Sequence, residues 1–514
     1  LVQKIQQMHL MLIGLLHGNF LLLLRIGRAD PGGRKRVMLC YYPIMCGFCA
    51  AVKCWQKFYM AAGPCFTRRG RAILNRELPP RGPRAPAMSH AVSQKGESPM
   101  SMNPFDQRPR PLDQCFMDWK AMAARPYDKR EADPYTRVRS ILMNGTEFEA
   151  VWFSHQFHRH CQNNDLRREL ALLRRQEQQQ QKHIAALKPL DETVLEHTIG
   201  YEQLAVDLTA RMAQCEPDRE VKQALDFALL EDFDHLYRYA DLLEMDGGVH
   251  AEELVGRYTE IMPARPTIAH HRWPADSVKK PIQGKKAALV TKLHVNIITA
   301  AEQQTMNYYM NIGNFYPTDR GRRLYTEIGM VEEQHVTHYG SLLDVRCSWL
   351  ENLLMHEYTE CYLYYSMLET ETCPAAKKVW ELHLEQEIAH LHHAAHLLEV
   401  YEGKQWQQVI PDGTFPDLLE LGPNIEYVRD VLANTVTLTA KGEGYAPVEE
   451  LDPDAGFFKY QQMLNGRTAG VASHTVIQDI IGEKGQDYRF ETAENPIPAL
   501  RSRTKDNTTL GRKA

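Results

Sequence analysis

One spacing recurs three times in this 514-residue chain and constrains its fold more than any other feature. Glu202, Glu302 and Glu357 are each followed 30 residues later by an acid: Asp232, Glu332 and Glu387. Each is followed 33 residues later by a histidine: His235, His335 and His390. A turn bisects every interval, at Cys215-Glu216-Pro217-Asp218, Tyr316-Pro317-Thr318-Asp319 and Thr372-Cys373-Pro374. Proline near the start of the second helix is the expected punctuation. In a symmetric hairpin, residues equidistant from the turn lie level with each other. The spacing therefore predicts three copies of one helical-hairpin unit, and an all-α chain.

Apolar residues recur at intervals of three and four around these positions, the signature of an amphipathic helix. One stripe reads Val295, Ile298, Glu302, Thr305, Tyr309 and Ile312, and the next Leu324, Ile328, Glu332, His335, Tyr339 and Leu342. The third reads Leu350, Leu353, Glu357, Cys361, Tyr364 and Leu368, and the fourth Trp380, Leu384, Glu387, His390, Ala394 and Leu398. The copy beginning at Glu202 is similar, but Thr198 and Thr209 make its first stripe less apolar, and Asp232 stands where the others have Glu. Each acid thus interrupts a core-facing stripe. A buried, unpaired carboxylate is costly, and several converging in one core repel unless cations neutralise them. Residues i and i+3 share a helix face, so Glu-x-x-His offers a bridging carboxylate and a terminal imidazole to a metal pair. A single Glu-x-x-His is commonplace, and buried Glu and His can satisfy each other without metal. Three coincident spacings, all on core stripes and all centred on turns, favour the metal reading. Tyr309, Tyr339 and Tyr364 share these stripes and are the catalytic candidates for hydrogen-bonding an oxygen species, although packing is the commoner role for such tyrosines.

The stretches GMVEEQHVTHYGSLL and HLEQEIAHLHHAAHLLEVYEG resemble the second and fourth helices of the ferritin-like di-metal carboxylate superfamily, rubrerythrin-type proteins especially. The resemblance spans roughly residues 190–402. It implies a four-helix bundle that binds two iron ions, or manganese, through Glu302, Glu332, His335, Glu357, Glu387 and His390. Glu360 resembles the additional carboxylate of rubrerythrins. The implied activity is oxidoreduction of peroxide or dioxygen, with ferrous iron oxidation or storage as the alternative. A helical scaffold without catalysis is the third reading. Two departures matter. Family members join the second and third helices by a long crossover, whereas only 22 residues separate His335 from Glu357, with a tight turn near Val345–Ser348. The long, Pro-rich connection is 247–290, so the copies at Glu202 and Glu302 can build one site while the third pairs elsewhere or across a dimer. No Cys-x-x-Cys pair follows the bundle, so a reductive reaction needs an external electron donor.

The expected organisation is a ferritin-like antiparallel bundle with an extra helical hairpin. Residues 1–99 form an upstream segment expected to be non-native or disordered, because Lys95-Gly96-Glu97 can be encoded by a purine-rich run resembling a ribosome-binding site before Met100 and Met102. An extended arm and a polar helix occupy 100–189, the first hairpin 190–246, and the linker 247–290. The four-helix region is 291–402, and 403–514 form an irregular arm over the bundle or a partner subunit of a homo-oligomer. Short helices are expected from about 424 to 435, 454–464 and 473–481, with the last fifteen residues disordered. The apolar run Met8–Leu24 is short and broken by His9, His17 and Asn19, which argues against a membrane span. A net charge of −5 gives no drive towards nucleic acid. Cys115, Cys161, Cys215, Cys347, Cys361 and Cys373 are scattered singly, which suggests reduced thiols in a cytoplasmic protein. Cys46-Gly-Phe-Cys49 stands alone and is weak support for a redox motif. His155, His158, His160 and Cys161 fit neither a zinc finger nor one helix face, and are expected to face solvent.

Overall fold

A computed structural model describes residues 102–255, 259, 271–435, 437–466 and 470–485. The expectations for residues 1–99 and for the last fifteen lie outside them.

Eight long helices dominate the described chain. They are α1 (Pro134–His160), α2 (Asn164–Ala185), α3 (Val194–Cys215), α4 (Arg219–Gly247), α5 (Leu289–Ile312), α6 (Asp319–Gly340), α7 (Trp349–Thr370) and α8 (Pro374–Glu402). Local chemistry sets their ends. Asp133, Asn163, Asp218 and Thr318 cap the first turns of α1, α2, α4 and α6 through side-chain oxygens. Capping boxes, Thr193 with Glu196 and Ser348 with Glu351, start α3 and α7. The two longest ligand-bearing helices, α4 and α8, both stop at a left-handed glycine, Gly248 at φ 65° and Gly403 at φ 64°.

Consecutive helices pair as four antiparallel hairpins: α1–α2, α3–α4, α5–α6 and α7–α8. The hairpins then associate in a nested order. α3–α4 packs with α5–α6 as an inner bundle, and α1–α2 packs with α7–α8 as an outer one. Residues 291–402 therefore contribute one hairpin to each bundle and do not close a four-helix region of their own, which corrects that expectation. The reason is the α6–α7 turn. It passes the chain from α6 of the inner bundle to α7 of the outer one. The long connection, 248–288, joins α4 to α5 in sequence. The extra hairpin of the sequence reading is half of a second bundle, completed by α1–α2.

The bundles meet where α1 lies against α3 and α5. Two glycines permit the approach. A Cβ on Gly200 would fall 2.5 Å from Arg137 Cδ and 2.9 Å from Ile141 Cδ1, and one on Gly145 would fall 2.7 Å from Gln304 Nε2. Gln304 also donates to the Ile141 carbonyl at 2.9 Å, tying α5 to α1.

The arm at 102–133 carries two short 3-10 turns, Pro104–Asp106 and Leu112–Cys115, and docks on α8. Gln386 Nε2 donates to the Cys115 carbonyl at 2.6 Å, and Phe105 stacks on Trp406 at 3.8 Å. After α8 come α9 (Ile425–Thr435), a hairpin of β1 (Leu438–Lys441) and β2 (Gly444–Pro447), α10 (Gly456–Asn465) and α11 (Ala472–Lys484). The β-hairpin was not anticipated, because four-residue strands carry no readable alternation. It pairs antiparallel with Leu438 opposite Pro447, and places Tyr445 Oη 2.7 Å from Nε2 of buried His338 on α6. The six cysteines among the described residues are free. Among the described residues no helix is long and apolar enough to cross a membrane.

Gly200→Ala should lower stability by about 1–3 kcal/mol through overpacking, because the Arg137 it meets is held by Glu192 at 2.7 Å. Gly340→Ala, at a helical site with nothing within 4 Å of the added Cβ, should leave stability unchanged or raise it by up to about 1 kcal/mol. Denaturant melts of the two variants check the pair.

Candidate metal centres

The inner bundle gathers six ligand-type side chains, one set from each hairpin. Glu202 comes from α3, Asp232 and His235 from α4, Glu302 from α5, and Glu332 and His335 from α6. All six are 0–1 % exposed. Their donor atoms form two overlapping groups, each drawn together within 4.8 Å: Asp232, Glu302, Glu332 and His335, and Glu202, His235 and Glu332. Glu332 belongs to both. His335 presents Nδ1 to the carboxylates, 3.2 Å from Asp232, 3.3 Å from Glu332 and 3.6 Å from Glu302. Its Nε2 faces away, 2.7 Å from Glu231, which Arg272 Nη1 holds at 2.6 Å. His235 Nδ1 lies 2.8 Å from Glu332.

The outer bundle repeats the plan. Asp232, Glu302, Glu332 and His335 have counterparts in Glu177, Glu357, Glu387 and His390, whose donors also lie within 4.8 Å of one another. His390 Nδ1 faces Glu177 at 3.0 Å and Glu387 at 3.3 Å, and its Nε2 faces outward to Gln176 at 2.7 Å. Gln176 precedes Glu177 as Glu231 precedes Asp232, so both histidines are oriented from the same place. The second outer group is Glu147, Glu177 and Glu360.

Every ligand residue named from the sequence is therefore buried in one of two clusters, and the clusters are not those of contiguous sequence. Glu302, Glu332 and His335 meet Glu202, Asp232 and His235. Glu357, Glu360, Glu387 and His390 meet Glu147 and Glu177 on α1 and α2, which the sequence reading took for a polar helix and its approach. The missing signal was present. Glu147 to Glu177 is again 30 residues, but position 33 is Gln180, so a search requiring histidine passes over it. Of the candidate tyrosines, Tyr309 donates to Glu202 and Tyr364 to Glu147, at equivalent places in the two bundles. Tyr339 is buried with its ring 6.3 Å from that of His335, and its hydroxyl makes no hydrogen bond. His155, His158, His160 and Cys161 lie at the end of α1, away from both clusters.

These donors fit divalent cations. Beyond the cluster imidazoles, the oxygens of Asp232, Glu302, Glu332, Glu177 and Glu360 accept no hydrogen bond. One imidazole N–H can serve one carboxylate, not the three grouped around His335. If all four inner acids are ionised, even two protonated histidines leave two negative charges uncompensated. Burial pushes the carboxyls of Glu202, Asp232, Glu302, Glu147, Glu357, Glu360 and Glu387 up. Burial acts on Glu332 and Glu177 too, but the imidazoles beside them hold both below the usual range. Burial likewise opposes charge on His335 and His390, yet their acidic neighbours hold both above the ordinary imidazole value. No family model, curated protein or solved structure matches the chain.

The metal-free protein has a predictable pH response. A carboxyl raised in the folded state contributes stability that is complete below its unfolded value of about 4 and is lost as pH rises through the folded value. Seven cluster carboxyls and both raised histidines act in this direction; Glu332 and Glu177 act against it only below about pH 4, and buried His271, His338 and His383, held below the ordinary imidazole value by burial, oppose it as pH rises towards that value. Chelator-treated protein should therefore melt lower at about pH 8 than at about pH 5. Added divalent metal, which displaces protons, should stabilise it more as pH rises. Thermal melts with and without metal at both pH values check the sign.

Proposed function

We propose that the chain is a ferritin-like, rubrerythrin-type oxidoreductase whose inner bundle binds two iron ions, with manganese as the alternative, and acts on peroxide or dioxygen. One observation carries the reading. Two helices each bring one Glu and two others bring Asp-x-x-His and Glu-x-x-His to one buried core, the ligand set of the di-metal carboxylate proteins. Bound metal would supply Lewis acidity and electrons to the oxygen substrate. The protein's own residues do the rest. Glu332, common to both donor groups, would hold the metal together with Glu202, Asp232, His235, Glu302 and His335. Glu231, held by Arg272, accepts a hydrogen bond from His335 Nε2–H and so turns Nδ1 to the cluster. Tyr309 donates its hydroxyl proton to Glu202 and so keeps a proton beside the cluster, where it would be available to an oxygen substrate. Buried Ile298, Tyr239, Ile328 and Tyr339, all no more than 1 % exposed, exclude bulk water from the surrounding core. Electrons for a reductive reaction come from an external donor.

Purified protein loaded with ferrous iron should consume peroxide faster than it oxidises ferrous iron with dioxygen alone. Glu332→Ala should lower peroxide consumption by at least the roughly 100-fold expected for losing a shared ligand. Faster ferrous oxidation in the parent would move the reading to iron storage. An unchanged peroxide rate in Glu332→Ala would remove the inner centre from the chemistry.

A further inference from the structure

The outer bundle is not a copy of the inner one, and the difference lies at one of its two positions. In the inner bundle each donor group contains an imidazole, His335 in one and His235 in the other. In the outer bundle His390 serves the first group, but the second, Glu147, Glu177 and Glu360, contains oxygen donors alone. The cause is Gln180, which occupies the place of His235. Its amide donates to Glu387 and so draws on the carboxylate that corresponds to the shared Glu332. Glu360 enters instead, at a place where the inner bundle has Thr305. Glu177 takes over the shared role, as a member of both outer groups.

This second group is more than a crowd of acids. Glu360 is fully buried, and neither of its oxygens accepts a hydrogen bond; His356 Nε2, at 3.6 Å, is the nearest base. Glu177 is 2 % exposed and faces His390 Nδ1 at 3.0 Å, and Glu147 Oε2 has no partner. The five outer carboxylates, Glu147, Glu177, Glu357, Glu360 and Glu387, face one cluster imidazole, His390. The negative charge left over exceeds that of the inner centre. Oxygen-only sites suit hard divalent ions such as manganese, whereas imidazole favours iron, zinc and copper.

We infer that the outer bundle is a second, chemically distinct metal centre, in which Glu147, Glu177 and Glu360 form an oxygen-only position selective for a manganese-type divalent cation. The inference rests on the helical-hairpin ligand scheme but not on inner-bundle activity, so its test uses a chain whose inner centre is silenced. In a Glu302→Ala, Glu332→Ala background, which leaves at most two donors in either inner group, Mn²⁺ binding to the full chain is read from the loss of the free-ion electron paramagnetic resonance signal. Retained binding of Mn²⁺ is expected. Adding Glu360→Gln, which removes a buried charge and keeps the shape, should abolish one Mn²⁺ equivalent per chain while leaving the metal-free melting temperature unchanged or higher. Adding Gln180→His instead should shift competition between Zn²⁺ and Mn²⁺ towards Zn²⁺ by on the order of tenfold or more. Absence of Mn²⁺ binding in a folded background would overturn the inference. So would full Mn²⁺ stoichiometry with Glu360→Gln, or unmoved selectivity with Gln180→His. None of these outcomes bears on peroxide turnover at the inner centre, so the two readings fail separately.

Discussion

Repulsion among buried carboxylates is the constraint on which this structure turns. Nine acidic side chains, Glu202, Asp232, Glu302, Glu332, Glu147, Glu177, Glu357, Glu360 and Glu387, lie in two helical cores with at most 3 % of any of their side chains exposed. A core of this kind gains nothing from its acids in the absence of cations, because burial and mutual charge both oppose ionisation. The surrounding apolar packing and the helix caps must hold the acids together against that cost. Metal binding would then return stability and complete the site in the same event.

The nested order of the hairpins gives that constraint a topology. The outer bundle is opened by α1–α2 and closed by α7–α8, with the whole inner bundle between them in sequence. Each bundle therefore has a long connection between its hairpins: residues 248–288 in the inner one, and the inner bundle itself in the outer one. The short α6–α7 turn then reads as a passage between bundles. Gly145 and Gly200 let α1 lie close against the inner helices, so the two centres are built into one packed body.

The helices and most ligands were legible in the sequence because both obey a period. Glu302, Glu332, His335, Glu357, Glu387 and His390 could be named from spacing and stripe alone, as could the three short helices after residue 403. Partner choice could not, since periodicity says which face of a hairpin is apolar and not which hairpin covers it. The short turn raised the question, and tertiary packing answered it. Glu147 and Glu177 escaped notice because Gln180 breaks the motif and α2 is strongly polar in composition. Its buried Gln176, Glu177, Gln180 and His183 show that the polar face is the one turned inward. Glu231 and Arg272 carry no spacing signal, because they act through His335 rather than as members of the repeat.

The central claim is that both buried clusters are metal centres. Anomalous-difference density from crystals of protein loaded with iron and manganese, collected above and below each absorption edge, tests it most directly. The account predicts peaks among Glu202, Asp232, His235, Glu302, Glu332 and His335, and a second set among Glu147, Glu177, Glu357, Glu360, Glu387 and His390. Loaded crystals with no peak in either cluster would contradict it.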